Sequence, residues 1–142
     1  MSNHARPGAE SRHNLLYWRG HDYAGIGPGA HSRITQDGVK HAIAVRKSPE
    51  AWLEAVATSG HGIEQDEALT PQNSADEYLL MGLRLAEGID EKRLASIDGR
   101  KLDEARLQYL QAKGLVRRSS NRVQATGKGR LVLDRLIVEL AA

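Results

Sequence analysis

At 142 residues the chain has room for one domain, or for a small domain beside part of another. Its 20 lysines and arginines nearly balance 18 acidic residues, and a net charge of +2 excludes a general polyanion binder. It contains no cysteine, which excludes disulfides, thiolate catalysis and iron–sulfur ligation by these residues, and no apolar run approaches the roughly 20 residues that span a bilayer. A soluble cytoplasmic protein is the expectation.

Residues 1–11 are polar, with Pro7-Gly8 as a turn signal. In helical form, Arg12–Trp18 would place His13 and Tyr17 on one face at spacing i, i+4, and Asn14 with Trp18 on the next. Asp22–Gly27 has the character of a short strand ending in glycines. Arg33–Thr35 and Lys40–Val45 read as further strands joined by an Asp37-Gly38 hairpin turn. Ser48-Pro49-Glu50 opens a helix that carries Trp52, Leu53 and Val56 and stops before Ser59-Gly60. Ser74-Ala75-Asp76-Glu77 reads as a capping box. Behind it a helical stripe of Ala75, Tyr78, Leu79, Gly82, Leu83 and Ala86 runs to a stop at Gly88. Asp90 caps a short helix through Leu94 and Ile97, and another runs from about Leu102 to Lys113, before Gly114. Two strands, Leu115–Arg118 and Arg122–Ala125, flank a Ser119-Ser120-Asn121 turn. Thr126 then caps a last helix that buries Leu133, Leu136, Ile137 and Leu140.

The two halves differ in composition. All six histidines and both tryptophans lie in the first 61 residues. Residues 1–62 hold too few apolar side chains to offset the conformational entropy of ordering them, so they read as the tail end of a larger fold. Residues 63–142 have capped helices and apolar stripes in the order helix, short helix, helix, two-stranded wing, helix. The predicted class is therefore α+β, with a winged-helix-like domain at 63–142.

His13-Asn14-Leu15-Leu16-Tyr17-Trp18 is the densest group of functional side chains. An imidazole, a carboxamide, a phenol and an indole there can ligate a metal, stack on a flat ring and hydrogen-bond its edge. The plainer reading is core packing beside a surface histidine. The Gly25–Ser32 run is by itself a tight turn after a strand, without the βαβ unit of a dinucleotide fold. His21, His41 and His61 read as solvated, with no helical metal-site spacing. Arg117, Arg118, Arg122, Lys128 and Arg130 form a basic edge suited to phosphates. Asp103 and Glu104, at the start of the would-be recognition helix, repel DNA, so no nucleic-acid partner is expected.

The segments Ser2-Asn3, Ala5-Arg6-Pro7-Gly8, Arg12-His13-Asn14, Tyr17-Trp18, Asp22-Tyr23, Gly25-Ile26-Gly27 and Gly29-Ala30-His31 resemble the closing part of the barrel in radical S-adenosylmethionine (SAM) enzymes. The branch they resemble is that of the oxygen-independent coproporphyrinogen III oxidase-like proteins. Leu69-Thr70-Pro71, the Glu77–Leu85 helix, Gly114-Leu115-Val116 and Thr126-Gly127-Lys128-Gly129 resemble its C-terminal domain. The His-Asn-x-x-Tyr-Trp signature resembles the haem-chaperone members. Two departures stand out: His4 where an aromatic is common, and Gly20-His21 as a variant spacer.

The resemblance implies that residues 1–62 are the end of a truncated radical SAM barrel whose N-terminal part is missing. It also implies a haem chaperone that binds haem or porphyrin and passes it to acceptor proteins. His13 would contact the haem iron, with Asn14, Tyr17 and Trp18 beside the macrocycle. Gly27, Ala30, His31 and Ile34 would neighbour SAM. SAM and a [4Fe–4S] cluster would belong to the intact parent alone, and these residues by themselves carry no catalytic group. The enzyme alternative is an anaerobic porphyrinogen oxidase that decarboxylates propionates. A third alternative is a winged-helix module that binds nucleic acid or protein.

Overall fold

The computed structural model describes residues 5–6 and 8–141. Of the sequence expectations, those on Ser2, Asn3, His4 and Pro7 lie outside the described residues. The chain folds as two compact units, 5–20 with 71–141 and, separately, 21–70.

The first unit begins with α1 (Arg12–Trp18), whose N-cap Ser11 accepts a hydrogen bond from the Asn14 amide. It continues with α3 (Pro71–Gly82), β4 (Ile89–Asp90), α4 (Glu91–Asp98), α5 (Glu104–Ala112), β5 (Val116–Ser119), β6 (Arg122–Ala125), α6 (Gly127–Arg130) and α7 (Leu133–Ala141). Its antiparallel sheet has the order β4-β6-β5. One core lies among these elements, with Leu79 from α3, Leu83 from the turn after it, Leu94, Leu107, Val123 and Leu136 all under 2% exposed. Burying one such side chain is worth about 1.5–3 kcal/mol.

Local chemistry explains where the elements begin and end. Pro71, pre-set to helical φ, starts α3 three residues before the expected capping box, so Ser74 sits inside the helix. The stripe continues past Gly82, but the backbone does not. Arg84 and Leu85 amides reach back only three residues, to Met81 and Gly82 carbonyls. Leu83 and Leu85 are buried nonetheless, from a tightened turn rather than a helix. The reason is Gly88, which at φ +66° turns the chain beside β6, where a Cβ would stand 2.0 Å from the Val123 carbonyl oxygen. That turn lays down β4, so the expected two-stranded wing is a three-stranded sheet. The expected last helix is likewise two helices: glycines at 127 and 129 weaken its first turn, and Leu131 and Val132 make i→i+3 bonds before α7.

The second unit is an antiparallel meander, β1 (His31–Gln36), β2 (Val39–Val45) and β3 (Ile63–Ala68), with α2 (Pro49–Ser59) between the last two strands. Asp37 and Gly38, both at positive φ, make the expected hairpin turn. Ser48 caps α2, Pro49 is its first residue and Gly60 its left-handed C-cap. The expected strand at Asp22–Gly27 is reduced to one bridge, Tyr23 to Arg33, because the Gly25 amide turns instead to the Ser32 hydroxyl at 3.0 Å. Residues 63–68 form an unanticipated strand of polar sequence, paired with β2.

The compact units are thus cut at 20/21 and 70/71, where the sequence suggested a single cut at 62/63. The pairing of β3 with β2 keeps 63–68 in the strand unit, and α1 lies against α3.

Candidate functional site

The four signature residues all lie on α1. This helix has seven residues and no fully buried side chain, too short to be stable alone. The residues after it hold it to the first unit. Arg19 donates from Nε and Nη2 to the two carboxylate oxygens of Glu87, both at 2.9 Å. This hydrogen-bonded pairing holds the Glu87 carboxyl below the usual range and raises the Arg19 guanidinium. The Gly20 carbonyl accepts from Arg93 at 3.2 Å. Arg93 in turn stacks 5.0 Å over the Tyr78 ring, and the Tyr78 hydroxyl accepts from the Asp90 amide at 2.9 Å. Four side chains, Arg19, Glu87, Arg93 and Tyr78, therefore connect the end of α1 to the rest of the unit.

Helical spacing splits the signature between two faces. His13 and Tyr17 meet edge-on, their ring centroids 4.5 Å apart at 83°. The Tyr17 hydroxyl lies across the edge of the imidazole, 2.8 Å from Nδ1 and 2.5 Å from Nε2. The imidazole is exposed, but neither nitrogen can take a metal until that hydroxyl swings aside. Asn14 and Trp18, with Leu15, line a cleft of about 390 Å³ whose opposite wall is Arg84, Leu85, Ala86 and Arg130. The N-terminal residues Ala5, Ala9, Glu10 and Ser11 close its end. The lining sets an indole and two leucines beside two guanidiniums and other polar side chains, which suits a ligand with both an apolar face and a polar edge.

The basic edge is mostly self-compensated. Arg118 donates to Glu91 at 2.7 Å and to Glu104 at 2.8 Å, and its guanidinium is raised by the Glu91 hydrogen bond first. Arg117 bonds Gln124 at 2.7 Å, and Lys128 bonds the Lys113 carbonyl at 3.1 Å. Asp103 is the N-cap of α5, accepting from the Arg106 amide at 2.6 Å. These acids and bases serve the fold.

The second unit holds the other candidates. Gly27 and Ala30 form a turn, with the Ala30 amide on the Gly27 carbonyl at 3.2 Å, and His31 starts β1. His31 and Ile34, three apart in a strand, project from opposite faces of the sheet. The four residues named for SAM therefore share a segment but not a face. The glycine run makes its close approach within the chain, since a Cβ on Gly25 would stand 2.4 Å from the His31 carbonyl oxygen. His41 is paired, Nδ1 to Asp66 at 2.7 Å across the sheet, and His61 accepts from the Ile63 amide at 3.3 Å. Among the described residues no group of three or more His, Asp or Glu side chains could hold a metal. Without a thiolate, the donor set present does not fit an iron–sulfur cluster.

Residues 69–132 match the HemN C-terminal domain family. Residues 69–132 thus carry the HemN C-terminal domain, and nearly the whole chain is similar to proteins of the radical SAM HemN/HemW family. It is 36% identical over 138 residues to "Radical S-adenosyl methionine domain-containing protein 1, mitochondrial" of Danio rerio, covering 94% of this chain and 29% of that relative. It is 33% identical to the heme chaperone HemW of Bacillus subtilis (strain 168), covering 93% of this chain and 35% of the relative. The HemW of Mycobacterium tuberculosis (strain ATCC 25618 / H37Rv) is 34% identical, with 96% and 33% covered. Among solved structures, the radical SAM coproporphyrinogen III oxidase (HemN) of Escherichia coli superposes with a TM-score of 0.63 at 21% identity. It covers 97% of this chain and 35% of the oxidase, and shows a shared fold. The chain spans about a third of the length of these relatives.

The anchor of α1 was not legible in the sequence. Arg19 and Glu87 lie 68 residues apart, and nothing in their local pattern pairs them. The convergence of Arg84 and Arg130 on Trp18 was equally hidden, being made by the tertiary fold.

Proposed function

We propose that this chain is the haem-contacting portion of a HemW-type haem chaperone, with His13 as the residue that approaches the haem iron. Haem is cargo here, taken up and passed to an acceptor protein. The supporting observation is the exposed imidazole of His13 on a helix whose adjacent face opens onto the Trp18 cleft. Asn14 and Trp18 line one wall for the macrocycle. Tyr17, on the imidazole edge, holds the ring in place until the ligand displaces its hydroxyl.

The rest follows from the family. The order of the first unit supports a winged-helix-like reading of 63–142, and the strands of 21–70 support a barrel remnant within 1–62. Gly27, Ala30 and His31, with Ile34 on the other sheet face, would form a SAM-side rim in the complete protein, where a [4Fe–4S] cluster would sit on other residues. A cytoplasmic location is proposed on the bacterial relatives, and no described helix is long and apolar enough to cross a membrane.

Haem titration tests this reading. The wild-type chain develops a Soret band, His13→Ala shifts or abolishes it, and His41→Ala, which loses a histidine already paired to Asp66, leaves it unchanged. Identical spectra and affinities for wild type and His13→Ala would remove His13 from the site.

A further inference from the structure

Arg130 stands apart from the other wing cations. Arg117, Arg118, Arg122 and Lys128 each bond a neighbour, while the half-buried Arg130 side chain has no hydrogen-bond or ion-pair partner among the described residues. It lines the Trp18 cleft and, on its other side, the smaller recess formed by Arg117, Gln124 and Thr126. A partly desolvated guanidinium without an acceptor is costly unless something anionic arrives. Its planar fork matches a carboxylate bidentately.

The cleft around it is graded. Trp18, Leu15 and Leu85 supply apolar surface, and Arg84 brings a second guanidinium to the same wall as Arg130. Arg84 is partly spent on the Leu80 carbonyl and on Asp134 at 3.4 Å. Glu10 also lines the cleft, and its carboxylate, which accepts from the Gly8 amide at 2.9 Å, opposes an anion there, so Arg130 and Arg84 together must outweigh it.

We propose that this cleft is a carboxylate-binding subsite, in which Arg130, helped by Arg84, grips a propionate of a porphyrin whose ring edge lies on Trp18. The choice of a porphyrin rests on the proposed function above; the demand for a carboxylate on a flat apolar body rests on the cleft alone. Binding here needs no iron, which separates this subsite from His13.

The test uses the whole chain with iron-free mesoporphyrin IX and its dimethyl ester, followed by quenching of tryptophan fluorescence. Wild type binds the diacid about tenfold more tightly than the ester, the factor expected of one charge-assisted bidentate pair. Arg130→Gln brings the diacid down to the level of the ester and leaves the ester unchanged, which a misfolded variant would not do. Arg130→Lys, the milder change, keeps part of the preference. Equal binding of diacid and ester by wild type, an undiminished preference in Arg130→Gln, or no mesoporphyrin binding at all would each overturn the subsite. If haem still binds through His13 in any of those cases, the proposed function survives. A preference that depends on Arg130, combined with a Soret band indifferent to His13, would keep the subsite and remove the proposed axial contact.

Discussion

The two units of this chain are built to different standards. Every fully buried hydrophobic side chain among the described residues belongs to 71–141, and the strand unit at 21–70 buries only Ser32 and Gly62. Its helix α2 has no buried residue, and Trp52 rests on the Gly62 backbone, where a Cβ would meet the indole at 2.1 Å. In the strand unit, β-ladders and turn chemistry set the shape. The other unit is held by a core, and α1 draws its order from that core through Arg19, Gly20 and Arg93. A seven-residue helix too short to stand alone is thereby held on the cored unit.

The contrast can be broken most sharply at two glycines. Gly88→Ala needs both a left-handed alanine and a Cβ inside the Val123 carbonyl, so it destabilises the first unit by about 4 kcal/mol or more. Gly38→Ala, also at positive φ but in open space, costs roughly 1 kcal/mol. Urea denaturation monitored by circular dichroism reads both, and equal losses would contradict the packing described at Gly88. Cavity formation gives the next largest effect. Leu79→Ala removes a fully buried side chain and costs about 2–5 kcal/mol, whereas Leu53→Ala, 60% exposed in the strand unit, stays within about 0.5 kcal/mol. Limited proteolysis extends the same comparison, with first cuts expected inside 21–70 and early cuts within α3 counting against it.

The smallest effect concerns the anchor of α1. The folded Glu87 carboxyl is held below its ordinary value by Arg19, so its contribution is complete above the unfolded value of about 4.3 and is lost as pH falls through the folded value. With the two side chains 43% and 38% exposed, solvent screening limits this to about 0.5 kcal/mol. Glu87→Gln should therefore be slightly less stable than wild type at pH 7 and equal to it in acid. A stability gap that widens on acidification would reverse the assigned sign.

Much of this architecture could be read from local signals. Ser48-Pro49, Asp37-Gly38, Asp90 and Thr126 each do in the structure what their chemistry suggested, because caps and tight turns are decided within a few residues. The Leu133-Leu136-Ile137-Leu140 face is buried as its period demanded. The sequence was less informative wherever long-range contacts decide. β3, with Glu64, Gln65, Asp66 and Glu67, has a polar pattern that resembles a loop and becomes a strand only because β2 offers an edge. Leu83 to Ala86 continued a helical stripe, yet the need to bring Gly88 against β6 ended the helix at Gly82. At the site, i, i+4 spacing alone placed His13 beside Tyr17 and Asn14 beside Trp18. The guanidinium wall opposite them depends on the folding of 84–130 around that helix.

The central claim is that haem engages α1 on the cored unit and not the strand unit. Amide hydrogen exchange of the chain, with and without haem, tests it directly. Haem should slow exchange at Leu15, whose amide opens α1, at Arg19 and Gly20, whose amides close it, and at 84–86 on the same cleft, leaving 31–45 unchanged. Protection confined to 31–45, or no change around α1, would contradict the account.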